Sequence, residues 1–136
     1  METYIVAIPS YDRPNVIVKK TLTTLKKGKV NKDKIYVFVA NKQEESKYRQ
    51  SMDPTTYNKI VIGKKGLVQQ RRFISQYFPK GKKIVSMDDD VGNLLKLTGD
   101  KLKPITNLDS FFKQAFTKLK QKGLYLWGVY PVKNAL

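Results

Sequence analysis

The chain has 136 residues, 40% hydrophobic and 11% aromatic, enough for a single folded domain over residues 1–136 and too few for two. It contains no cysteine and no histidine, which excludes disulfides, thiolate or imidazole metal sites and Ser-His or Cys-His nucleophiles, so any metal must be held by oxygen. Lysine and arginine total 27 against 11 acids, and the net charge of +16 attracts polyanions, although a lysine-rich genome alone produces the same bias.

Tyr4 to Ile8 (YIVAI) reads as a short apolar strand, and the N-terminus lacks the basic n-region of a secretory signal. No apolar run reaches the roughly 20 residues a membrane helix needs, so no membrane partner is expected. Pro9 to Pro14 is a loop. Asn15 to Lys27 follows as a helix with Val18, Leu22 and Leu25 on one face, and Gly28 is its expected C-terminal stop. Ile35 to Ala40 (IYVFVA) is a second buried strand, Asn41 to Met52 a polar stretch, and Lys59 to Ile62 a short third strand.

Gly63-Lys64-Lys65-Gly66 leads into a helix from about Leu67 to Phe78. Leu67, Ile74 and Phe78 repeat at helical spacing with Arg71 on the same stripe, where an arginine needs a partner at the core edge. Pro79-Lys80-Gly81 breaks that helix. Asn93 to Lys103 reads as a hairpin around Thr98-Gly99-Asp100. Asn107 caps an amphipathic helix carrying Leu108, Phe111, Phe112, Ala115, Phe116 and Leu119. Gly123 ends that helix, and Leu124 to Val129 is a last strand. Alternating strands and helices predict an α/β fold, a mostly parallel sheet with helices on both faces.

The stretch that organises this pattern is Lys82 to Asp90, KKIVSMDDD: an apolar strand ending in three consecutive carboxylates. Adjacent carboxylates repel unless something cationic sits among them. Strand alternation would put Asp88 and Asp90 on one side and Asp89 on the other. Asp88 and Asp90 would then offer one divalent ion two oxygens, leaving positions for water and substrate phosphates. A solvated acidic turn is the plainer alternative, and a glycosidase carboxylate pair suits consecutive aspartates less well. Gly63 to Gly66 with the following helix N-terminus is an expected anion site; it matches neither a Walker A loop nor a GxGxxG fingerprint.

The span Gly66 to Val91, GLVQQRRFISQYFPKGKKIVSMDDDV, resembles the nucleotide-sugar-binding signature of GT-A fold glycosyltransferases. IPSYDRP, VFVAN, SMDDDV and LWGVYPVKN together resemble, more narrowly, the TET-associated glycosyltransferases of phages and large viruses. The resemblance implies a nucleoside diphosphate sugar donor, a UDP-sugar, with manganese or magnesium as cofactor. It also implies a modified base in DNA as acceptor and the host cytoplasm as compartment. By the same match Asp90 is the main metal ligand, and Asp88 approaches the metal or the donor ribose. Asp89 lies near the sugar or is structural, and Arg71 lies near the donor. Pro9, Ser10, Tyr11, Asp12 and Arg13 form the loop that receives the base, with Asn41 and Gly66 flanking the same cleft. Arg72 stands where the family often has asparagine.

After Asp90 only Asp100 and Asp109 are carboxylates, and neither position suits a general base, so no catalytic residue is assigned. The chain stops at Leu136, and the expectation is a donor-binding half lacking the acceptor-binding C-terminal part. Competing readings are a basic nucleic-acid-binding module without catalysis and a metal-dependent phosphoryl or nucleotidyl transferase.

Overall fold

The structure, a computed structural model, describes residues 4–92, 94–98, 100–121 and 126–128. In chain order the strands are β1 (Tyr4–Pro9), β2 (Ile35–Val39), β3 (Lys59–Ile62), β4 (Lys83–Ser86), β5 (Leu95–Thr98), β6 (Lys101–Pro104) and β7 (Leu126–Gly128). Five of them form one parallel sheet in the order β3-β2-β1-β4-β7, while β5 and β6 pair as an antiparallel hairpin. The helices are α1 (Pro14–Ile17), α2 (Thr23–Lys27), α3 (Lys42–Ser51), α4 (Leu67–Tyr77) and α5 (Leu108–Gln121). A π-helical turn, Val18–Leu22, joins α1 to α2 without a break.

β1 is apolar throughout because both of its faces are covered. Tyr4, Val6 and Ile8 turn one way with Val37, Val39 and Val85 and pack against Ile17, Leu22, Leu25, Tyr48, Leu108, Phe112 and Phe116. Ile5 and Ala7 turn the other way with Phe38 and Ile84, against Ile74 of α4 and Phe78 just beyond it. The parallel α/β sheet with helices on both faces therefore agrees with the alternation of elements in the sequence.

Three local expectations change. The polar stretch after β2 is helix α3, which buries only Glu44 and Tyr48 and so shows no apolar stripe. Its signal was Asn41-x-x-Glu44: the Asn41 side chain accepts the Glu44 N–H at 2.9 Å, an N-cap. On α4 the inward position is taken by Gln70, while Leu67 is 58% exposed and does not belong to the buried stripe. Gly28 is the C-cap of α2, as expected, at φ −81°, and the left-handed conformation falls on Lys29 at φ +66°. Lastly, β4 ends at Ser86, so the aspartates lie in the turn beyond it and strand alternation does not govern them. The expected Gly123 stop, Gly99 of the hairpin and most of the closing segment lie outside the described residues.

Gly28 also serves as a docking surface for α5. Its carbonyl accepts the N–H groups of Leu108 and Asp109 (2.8 and 3.2 Å), and a Cβ there would lie 2.5 Å from the Leu108 side chain. Asn107 caps the same helix end, accepting the Ser110 N–H at 2.9 Å. From the first turn of α5, Asp109 accepts the Tyr4 hydroxyl at 2.6 Å and pairs with Lys113 at 3.0 Å. Burial pushes the Asp109 carboxyl up, but the Tyr4 hydroxyl and Lys113 outweigh it and hold it below the ordinary range.

Gly28→Ala should cost about 1–3 kcal/mol, because Leu108 is buried and cannot move aside, a loss measurable by urea unfolding. Asp109, with its lowered folded value, contributes stability above its unfolded pKa of about 3.9 that is lost as pH falls through the folded value. Asp109→Asn should flatten the acid limb of the stability–pH curve, and an unchanged limb would refute that contribution.

Candidate functional site

From β1 the chain moves outward through β2 to β3, then returns to place β4 on the other side of β1. The loops leaving β1 and β4 diverge at this switch point, where an open parallel sheet forms its crevice. A cleft of about 500 Å³ lies there. Its walls are Pro9, Ser10, Tyr11 and Arg13 after β1, Ala40 after β2, Lys64, Lys65, Gly66, Leu67 and Gln70 at the β3–α4 corner, and Asp88, Asp89 and Asp90 after β4.

All three carboxylates line this one cleft, which corrects the expectation that Asp89 faces away. Asp89 is buried. One of its oxygens accepts the Ser10 hydroxyl at 2.6 Å and the other Arg13 Nη2 at 2.6 Å. The same guanidinium nitrogen lies 3.4 Å from Asp90, and Arg71 pairs with Asp88 at 3.1 Å while donating to Ser86 at 3.2 Å. Burial pushes the Asp89 carboxyl up, against the opposing pull of Ser10 and Arg13. Arg13 is itself held up by Asp89 and Asp90, against the downward push of burial. Two guanidiniums thus face three carboxylates, and the turn keeps an excess of negative charge.

Helix α3 fixes the loop after β1. Ser10 gives its single hydroxyl proton to Asp89, so the buried Tyr48 hydroxyl donates to Ser10 Oγ at 2.6 Å and accepts the Arg13 N–H at 3.0 Å. Burial pushes the Tyr48 phenol up, which keeps this donor protonated. Glu44 accepts the Asp12 N–H at 2.6 Å and so holds Asp12 at φ +51°. Tyr48 and Glu44 lie in the stretch Asn41 to Met52, whose sequence shows only its polarity.

The opposite wall is cationic. Lys64 and Lys65 precede α4, and Gly66 at its N-cap, with φ +95°, makes no side-chain cap. The backbone N–H groups of this helix end therefore keep their capacity for an anion. Gln70 braces the corner by accepting the Lys64 N–H at 2.9 Å and donating to the Val39 carbonyl at 3.1 Å. Gly63 is required beneath it, since a Cβ there would lie 2.1 Å from Gln70 Oε1. Tyr11, half exposed at the rim, lies under the Lys65 ammonium at 5.6 Å.

Of the residues singled out in the sequence, Pro9, Ser10, Tyr11, Arg13, Gly66, Asp88, Asp89 and Asp90 come together in the cleft wall. Asp12 turns to Lys47, Asn41 caps α3, and Arg71 stands behind the wall on Asp88 and Ser86. Among the described residues no group of three or more acidic side chains forms a ready metal cage. Asp88 and Asp90, with side chains 32% and 38% exposed, could hold only an ion that takes one or two carboxylates and finishes its shell with other ligands. Comparison with family models, curated proteins and solved structures finds no match.

Tyr48→Phe, which deletes the shared hydroxyl and leaves the Arg13 N–H without its acceptor, should cost about 1–3 kcal/mol in denaturant unfolding. A neutral result would mean that the loop after β1 does not depend on the Tyr48 hydroxyl.

Proposed function

We propose that this cleft binds a nucleoside diphosphate sugar together with manganese or magnesium, and that the chain is the donor-binding domain of a GT-A-type glycosyltransferase. The observation that carries the reading is a carboxylate turn facing an uncapped, lysine-flanked helix N-terminus across one switch-point cleft. A metal-bound diphosphate needs both, oxygen ligands for the ion and N–H and ammonium donors for the phosphates. Asp88 and Asp90 would hold the ion, which when bound supplies charge stabilisation for the leaving diphosphate. Arg13, Lys64 and Lys65 would neutralise phosphate oxygens, and Tyr11 offers an aromatic face at the rim for the base, with uridine preferred. The acceptor we propose is a modified base in DNA, in keeping with the net charge of +16.

Titration calorimetry with UDP, with and without manganese, should show binding that depends on the metal and weakens at least about tenfold in Asp90→Asn. Salt-sensitive DNA binding without any response to UDP or manganese would favour a nucleic-acid-binding module. Turnover of a nucleoside triphosphate would favour a nucleotidyl transferase. A panel of sugar donors offered with plain and hydroxymethylated DNA, read by mass spectrometry, identifies sugar and acceptor.

A further inference from the structure

A threonine inside a helix commonly bonds back to a carbonyl of its own preceding turn. Thr117 does so with Lys113 at 3.0 Å, and Thr23 with Val18 at 2.7 Å. Thr21 and Thr24, both buried, do otherwise. Thr21 Oγ1 donates to the Asp88 carbonyl at 2.6 Å and accepts the Val91 N–H at 3.0 Å. One hydroxyl therefore closes both ends of the turn that carries the three aspartates. Thr24 Oγ1 donates to the carbonyls of Val91 and Gly92, each at 2.8 Å, just past the acids.

Thr21 sits in the π turn, where it and its neighbour Leu22 are both buried. A π turn is rare, occurs mostly as a single turn inside an α-helix, and is frequently found at functional sites. The carboxylates themselves are tethered from two elements: Arg71 on α4 holds Asp88 while Arg13 on the β1 loop holds Asp89 and Asp90. Both guanidiniums are close to half exposed, whereas Thr21 is wholly buried. It is the buried point against which those two exposed tethers act.

From this geometry we infer that Thr21 is a positioning residue of the cation-and-diphosphate site, setting the separation of Asp88 and Asp90 through the backbone between them. It touches no ligand. The inference rests on the donor-site reading above, and the experiment separates the two.

The probe is UDP with manganese, measured by calorimetry at a temperature well below every variant's melting point. Thr21→Val should weaken binding roughly 10–100-fold, as loss of a supporting contact behind metal ligands does. Thr21→Ser, which keeps the hydroxyl, should restore affinity to near wild type. Thr24→Val should lower the melting temperature comparably while leaving affinity almost unchanged, a split that a merely structural role would not give. If Thr21→Val does not fold, Thr21→Cys, close in size and poor in hydrogen bonding, gives the same comparison. Wild-type affinity in the folded Thr21 variant, or an equal loss in Thr24→Val, overturns the positioning role and leaves the donor site standing. No binding by the wild-type chain overturns the donor site, and this inference with it.

Discussion

Three adjacent carboxylates at the end of β4 are the constraint on which the rest of the molecule depends. Side by side they repel, and one of them, Asp89, is buried as well. The fold answers from three directions: Arg13 and Ser10 from the β1 loop, Arg71 from α4, and the Thr21 hydroxyl from the helix between β1 and β2. Each of these elements is held in turn by something else. Tyr48 and Glu44 of α3 set the loop, Gln70 sets the β3–α4 corner, and the core beneath Ile17, Leu22 and Leu25 sets the helix. Little of this stiffening serves the sheet, whose strands are already covered on both faces. It serves the turn.

Charge on the site is arranged as a gradient and not as a patch. One wall carries aspartates that their own guanidiniums only partly neutralise, and the facing wall carries Lys64, Lys65 and a bare helix end. A purely anionic ligand would meet repulsion at the first wall, and a lone cation at the second. A ligand carrying both signs at a few ångströms' separation satisfies the two walls together, which is why the local geometry narrows the ligand class more than net charge does.

Much of this could be read from the sequence where a single period dominates. YIVAI, IYVFVA and the KIVS run announce buried parallel strands, and the DDD turn stands out because acids are scarce. What stayed hidden was encoded by partners distant in sequence. Nothing local says that Tyr48 reaches Ser10, or that Gln70 takes the inward place where Leu67 fits the apolar repeat better. Helix α3 was missed because one of its two buried residues is a glutamate and the apolar count is too low to show a stripe. The carboxylate directions were misjudged for a simpler reason. Strand alternation does not extend past Ser86, where β4 ends, into the turn of Asp88 to Asp90.

The β3 strand has one further consequence. It is an edge of the parallel sheet, a row of backbone donors and acceptors open to another chain. It is only four residues long, begins at the exposed Lys59 and runs out into Lys64 and Lys65. Two copies approaching edge to edge would bring these lysines together, and their repulsion guards the sheet against self-pairing. The cations at the corner of the proposed phosphate wall thus also discourage pairing of this edge with another chain.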